Sequence, residues 1–251
     1  MNTQTVSSPS GPVVHLSHDV DSQARDVADM VAEGLRTALA ERPRATLVVS
    51  GGKTPVGMWQ ILRRCPLDWS RVDVTLADER WVPPDDPASN EGLVRQHLLQ
   101  DEAAQARWVP LYMPAEQSGG TVDAAPTLLE PRLASLLQWP ADVVLLGMGA
   151  DGHTASWFPG DPLPDDGRLC FAVPAPRAPN VPVPRLSLSP AALLSARCLI
   201  VQLQGRDKEA VLMQALKPPQ NTDGQSLDER LPIRRALWAP GVTCHVFYAA
   251  G

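Results

Sequence analysis

The sequence predicts an α/β protein: a doubly wound, mostly parallel, Rossmann-like sheet with helices on both faces, forming a single domain over residues 13–251 with long site-forming loops. Three observations carry this. Short apolar runs such as Thr46-Leu-Val-Val49 and Asp142-Val-Val-Leu-Leu146 show no polar alternation, as expected of strands covered on both faces. Segments with helical apolar spacing stand between them, and strand-helix-strand succession implies right-handed crossovers. Glycine-rich turns follow directly on two of the runs, at Gly51-Gly52 and at Gly147 to Gly152.

In chain order, residues 1–12 are polar and read as a disordered leader without the basic and apolar regions of a signal peptide. Ala24, Val27, Met30, Val31, Leu35 and Ala38 predict a helix from about Val20 to Leu39, stopped by Glu41-Arg-Pro43. A strand at Thr46 to Val49 leads through Gly51-Gly52 into a helix marked by Val56, Trp59, Ile61 and Leu62. Val72 to Ala77 is the next strand, Asn90 to Leu99 a helix, and Trp108 to Tyr112 a brief strand. Pro126 to Leu137 then reads as a helix and Asp142 to Leu146 as a buried strand. Arg197 to Gln204 is expected as a strand feeding a helix from Arg206 to Leu216, and Thr243 to Tyr248 closes the sheet. Proline-rich Phe158 to Pro190 and polar Pro218 to Glu229 break this rhythm and read as long loops, which in compact domains often form sites.

The composition removes several function classes. A net charge of −6 is wrong for a surface that neutralises a nucleic-acid backbone. No apolar run approaches the roughly 18 residues of a membrane span, so a cytoplasmic protein without membrane or nucleic-acid partners is expected. Cys65, Cys170, Cys198 and Cys244 are scattered without a C-x-x-C pair, predicting reduced, mostly buried thiols and no metal site. No obligate protein partner is evident.

Two turns carry chemistry. In Ser50-Gly-Gly-Lys-Thr-Pro55 a buried strand ends and a helix begins, with Thr54 as candidate N-cap and Pro55 at the first helical position. Free N–H groups at such a terminus suit a phosphate, the glycines allow close backbone approach, and Lys53 adds charge. An ordinary tight turn is the other reading. The spacing is not that of a Walker A loop, so no nucleoside triphosphate is implied. In Gly147-Met-Gly149-Ala-Asp151-Gly-His153 the acid and the histidine follow the carboxyl end of a strand, where open α/β sheets bind ligands. The glycines spell G-x-G-x-x-G, but Pro159-Gly160 interrupts the long helix that a dinucleotide site needs. What the turn displays is His153. An imidazole with an ordinary pKa of about 6.5 takes a proton from water near neutrality, and Asp151 stands where it would orient the ring. A capping or surface role is the alternative for His153.

A third segment, Asp78-Glu-Arg80-Trp-Val-Pro83 with Ser89-Asn90 nearby, reads either as a structural ion-pair cluster or as direct substrate contact. Arg185 and Lys208 are further basic candidates. In this order the segments resemble the 6-phosphogluconolactonase family, within the wider group that contains glucosamine-6-phosphate deaminases. The family patterns are S-G-G-x-T-P, D-E-R-x-V-P with S-N, and G-M-G-x-D-G-H-T-A-S-x-F-P-G. They stand here at Ser50 to Pro55, Asp78 to Pro83 with Ser89-Asn90, and Gly147 to Gly160. Departures are Lys53 for the usual Ser or Arg, Trp157 for Leu, and Ala175-Pro-Arg177-Ala-Pro179 for a Ser-Pro-Lys-Pro-like run.

The resemblance implies hydrolysis of 6-phosphoglucono-δ-lactone without metal or organic cofactor. His153 would be the general base, Asp151 its orienting partner, and Arg80 would lie near the developing oxyanion or the sugar. The phosphate would sit on Ser50, Gly51, Gly52, Lys53 and Thr54, with Lys208 and Arg185 as cationic partners and Asp78 and Gly149 on the substrate wall. The deaminase pattern continues D-G-H-I-A-F-N-E-P, whereas Trp157 here runs directly into Phe158-Pro159 without the glutamate. A sugar-phosphate sensor would carry a DNA-binding helix pair or basic patch, and neither is visible.

Overall fold

The computed structural model describes residues 11–174, 182–219 and 230–251. Most of the proposed leader, the run around Arg177 and most of the Pro218 to Glu229 loop lie outside the described residues. Seven strands form one all-parallel sheet: β1 (Val13–Leu16), β2 (Ala45–Val49), β3 (Val72–Leu76), β5 (Arg107–Trp108), β6 (Val143–Leu146), β9 (Cys198–Gln204) and β10 (Cys244–Ala249). Their order across the sheet is β1-β10-β9-β6-β2-β3-β5. Every residue of β2, β3 and β6 is buried; β2 and β6 accordingly lack alternation, while β3 buries Asp73 and Thr75 between its apolar residues. From β2 the chain builds outward through β3 and β5, then returns to the other side of β2 for β6, β9 and β10. The reversal falls between β2 and β6, and such a switch point leaves a crevice at the carboxyl ends of the two strands.

Helix α1 (Val20–Glu41) begins at Asp19, whose Oδ1 accepts from Ser22 N (2.7 Å) while Ser22 Oγ accepts from Asp19 N (3.2 Å). This capping box satisfies two orphan amides at once. The helix buries Val27, Ala28, Val31, Ala32 and Leu35 on one stripe against the sheet. Helices α2 (Val56–Leu62), α3 (Asn90–His97), α4 (Ala115–Ser118), α5 (Ala125–Leu136), α6 (Pro190–Leu193), α7 (Glu209–Ala215) and a short helix at Ile233–Leu237 complete the covering layers. The core includes Trp59, Trp69 and Trp157, each at most 1% exposed. All four cysteines are free, and burial pushes the Cys170 and Cys244 thiols up to about 12.

The two acidic side chains buried at the sheet, Asp73 and Asp142, are paired. Asp73, in the middle of β3's buried run, accepts from Arg44 Nε (3.0 Å) and Arg107 Nε (2.7 Å). Asp142, just before β6, accepts from Thr46 N (2.8 Å) and pairs with Arg42. Leaving either carboxylate unpaired here would be costly.

Several expectations need correction. Strand β1, which pairs parallel with β10, was not foreseen. The strand expected over Trp108 to Tyr112 is only Arg107–Trp108, because Pro110 has no N–H to continue the ladder. The helix expected from Arg206 begins as a 3₁₀ turn at Arg206–Lys208 and becomes α-helical only at Glu209. Phe158 to Pro190 is not a continuous loop. It contributes β7 (Cys170–Val173) and β8 (Arg185–Leu188), which with β4 (Asp78–Arg80) form an antiparallel sheet in the order β4-β8-β7. Pro174, Pro184 and Pro190 flank these strands, where a missing N–H does not interrupt pairing. The two sheets are stitched where Leu188 N donates to Ala77 O (2.8 Å).

Candidate active site

The crevice at the switch point is an open cleft of about 230 Å³. The turn after β2 forms one wall, the turn after β6 the floor, and the antiparallel sheet the opposite wall.

At the β2 turn, Ser50 N donates to Leu145 O (3.0 Å), which fixes the turn to β6. Gly51 has no room for a side chain, since a Cβ would stand 1.9 Å from Asn90 Oδ1. The space lets Asn90 Nδ2 donate to Asp78 O (2.9 Å). Gly52 has φ +93°, the left-handed region that glycine enters without strain. Thr54 is not the N-cap that the sequence suggested. Pro55 occupies the cap position, has no side chain able to cap, and α2 starts at Val56. The N–H groups of Gly51, Gly52, Lys53 and Thr54 therefore have no hydrogen-bond acceptor among the described residues. Four such donors at the cleft, with the Lys53 side chain, are a set that can hold an anion.

At the β6 turn, Gly149 N donates to His153 O (2.9 Å) and Gly152 N to Gly149 O (3.0 Å). Thr154 Oγ1 donates to Gly147 O (2.8 Å), closing the loop on the strand end. His153 Nδ1 lies 2.5 Å from Asp151 Oδ1, and His153 N donates to the same oxygen (3.1 Å). With Nδ1–H held by a carboxylate, Nε2 carries the free lone pair. Burial raises the Asp151 carboxyl, but the hydrogen bond and charge of His153 with nearby amides outweigh it and hold Asp151 below the ordinary value. Asp151 does not line the cleft; it stands behind His153, which does.

On the third wall, β4 and β8 place Arg80 and Arg185 directly opposite each other. Like charges in that relation repel, and burial adds to the penalty. Burial, reinforced by Arg80, lowers the Arg185 pKa although Asp78 and Glu79 pull the other way. Arg185 keeps Asp78 Oδ2 at 3.7 Å and lies 5.3 Å over the Phe158 ring, which in turn is 5.1 Å from the His153 ring. Arg80 Nη1 donates to Ala88 O (2.6 Å). Among the described residues, the Nε atoms of both arginines are buried without a partner. A wall with two adjacent guanidiniums and orphan donors is arranged for negative charge.

Asp78 lines the cleft and accepts from Ser156 Oγ (2.6 Å). Glu79 points the other way. Fully buried, it accepts from Arg80 N (2.7 Å), Asn90 N (2.8 Å), Glu91 N (2.7 Å) and Ser89 Oγ (3.1 Å), tying β4 to the start of α3. Burial pushes its carboxyl up to about 7 against those donors. The charged triplet thus divides, with Asp78 and Arg80 facing the cleft and Glu79 holding the scaffold.

Of the residues to which the resemblance gave a site role, all but Asp151 line this cleft: Ser50, Gly51, Gly52, Lys53, Thr54, Asp78, Arg80, Gly149, His153, Arg185 and Lys208. Sequence reasoning missed Asn90, Thr154 and Gln202 as cleft residues. Asn90 stood inside a noted motif, and Gln202 is a polar residue in the otherwise apolar run Leu199 to Leu203.

A switch-point cleft that joins an oriented histidine to an anion-binding nest and a cationic wall defines an α/β enzyme for small anionic substrates. The comparisons narrow that class. A family model described as glucosamine-6-phosphate isomerases/6-phosphogluconolactonase matches residues 18–242, and the chain belongs to that family. It is 43% identical to the 6-phosphogluconolactonase of Pseudomonas aeruginosa over 243 residues, covering 94% of this chain and 95% of that one. The 6-phosphogluconolactonase of Rhizobium meliloti is 41% identical, with 90% and 98% covered. Among solved structures, a 6-phosphogluconolactonase from Shewanella baltica superposes with a TM-score of 0.85 at 36% identity, covering 95% of this chain and 98% of that one.

Proposed function

We propose that this chain is a 6-phosphogluconolactonase, hydrolysing 6-phospho-D-glucono-1,5-lactone to 6-phospho-D-gluconate in the oxidative pentose phosphate pathway. Family membership and the curated relatives support the activity. The observation that carries the mechanism is the His153–Asp151 pair, 2.5 Å apart, opposite two guanidiniums.

In this mechanism His153 Nε2 takes a proton from a water while Asp151 stabilises the imidazolium that forms. The hydroxide attacks the lactone carbonyl, and the resulting oxyanion forms beside Arg80 and Arg185. The tetrahedral species collapses by breaking the bond between C1 and the ring oxygen, which takes the proton back from His153. The sequence resemblance grouped Arg185 with the phosphate. Its stacking on Phe158, which also contacts His153, favours the carbonyl end instead. The 6-phosphate is bound by the amides of Gly51 to Thr54 with Lys53 and Lys208. Ser50 brings the end of β2 to the substrate, Gly149 leaves room for the His153 ring beside it, and Asp78 steadies Arg185. No metal or organic cofactor has a step to perform. The protein works in the cytoplasm, since charged sugar phosphates do not cross membranes unaided.

The test is a lactone-opening assay above the spontaneous rate, with 6-phosphogluconolactone and unphosphorylated gluconolactone, on the wild type and His153→Ala. The phosphorylated substrate should be strongly preferred and His153→Ala should lose at least about a hundredfold in kcat. Unchanged turnover in the variant would remove His153 from the chemistry, and equal kinetics on both lactones would remove the phosphate nest.

A further inference from the structure

Among the polar groups of the cleft, Gln202 has no step in the lactonase mechanism. Gln202 lies on β9 among buried apolar neighbours and is 2% exposed, yet it lines the cleft. Which way its carboxamide faces is decided by α1. Gln23 Nε2 donates to Leu203 O (2.9 Å) and to Phe247 O (3.0 Å), which uses both of its hydrogens. Gln23 Oε1 is therefore an acceptor, and it receives Gln202 Nε2 (3.1 Å) and Gln204 Nε2 (2.8 Å). With Gln202 Nε2 committed, Gln202 Oε1 is an acceptor by elimination, and it is buried without a donor among the described residues.

The surroundings say what is missing. The ladder pairs Leu146 with Val201, which brings Gly147 beside Gln202. A Cβ on Gly147 would meet nothing within 4 Å, so the cleft floor is open over Gly147, the residue beside Gln202. A buried carbonyl oxygen without a donor is unfavourable unless something supplies one. Phosphate dianions and carboxylates bring no hydrogen, whereas a sugar hydroxyl does.

We propose that Gln202 Oε1 accepts a hydrogen bond from a hydroxyl of the bound sugar phosphate, so that Gln202 selects polyhydroxylated phosphates over plain alkyl phosphates. The inference rests on the sugar-phosphate reading of the cleft but not on turnover. Gln202→Met is the informative variant: it removes the acceptor at similar volume, and Gln204 still donates to Gln23 Oε1.

The experiment measures dissociation constants by calorimetry for 6-phosphogluconate and for hexyl phosphate, which has no free hydroxyl on its carbon chain, with thermal unfolding as a check on folding. Gln202→Met should bind 6-phosphogluconate about tenfold more weakly and hexyl phosphate unchanged, while KM for the lactone rises and kcat holds. An equal loss for both ligands, or none for either, overturns the proposal. So does a wild type that fails to prefer 6-phosphogluconate, a result that needs no variant to fold. A protein that binds 6-phosphogluconate in this selective way but opens no lactone would defeat the lactonase reading and leave Gln202 in its role.

Discussion

Gly149→Ala is the sharpest perturbation of the catalytic turn, because it adds one methyl and changes no charge. The new Cβ would stand 2.1 Å from both Cε1 and Nδ1 of His153 and 2.8 Å from Asp151 Oδ1. Ordinary contact begins at 3.4 Å, so the ring must retreat by about 1.3 Å. That displacement opens the 2.5 Å Nδ1 to Oδ1 contact and turns Nε2 away from the substrate carbonyl. A shift of about 1 Å in a reacting group costs on the order of a hundredfold in rate. The phosphate nest hangs on β2, not β6, so binding should survive. The backbone is not in the left-handed region at Gly149, so alanine does not strain the chain. The expected outcome is kcat down about a hundredfold, KM little changed and Tm within a few degrees of wild type, measured by continuous lactone hydrolysis and thermal unfolding. If kcat stayed within about threefold of wild type, the premise that the turn positions His153 through Gly149 would be wrong.

Two further outcomes follow from the charged groups around the cleft. Burial holds Glu79 at about 7 against an ordinary 4.5, so the folded state binds its proton more tightly than the unfolded chain. The resulting stabilisation is complete below about pH 4.5 and lost as pH rises through 7, up to about 3 kcal/mol. Glu79→Gln should therefore flatten the change in urea midpoint between pH 5 and pH 8, and an identical pH dependence in both proteins would count against it. Arg185→Leu removes a buried guanidinium from the carbonyl end of the cleft and leaves the Asp78 carboxylate, among the described residues, with Ser156. It should lower kcat/KM by roughly tenfold to a hundredfold, and a loss below threefold would show that Arg80 suffices.

The helix-and-strand plan was legible in the residues because local chemistry writes it. Strands β2 and β6 are wholly buried and read as short runs without polar alternation, β3 is betrayed by its β-branched residues, and α1 shows its stripe at helical spacing. The two functional turns were legible for a related reason, since glycines and a histidine at strand ends are local signals. Thr54 misled because Pro55 takes the cap position. Strands β7 and β8 were hidden because four-residue segments among prolines carry too little pattern to be distinguished from loop.

What the residues determined alone was the set of buried strands, the helix stripe and the chemistry offered by each turn, all of which depend on neighbours a few positions away. The tertiary structure alone decided that β2 and β6 lie side by side at the switch point, that Arg80 meets Arg185 across β4 and β8, and that Gln23 fixes the face of Gln202. These are pairings between segments far apart in the chain. They are selected by burial and by backbone and side-chain hydrogen bonding across the assembled fold, and no short stretch of sequence contains both partners.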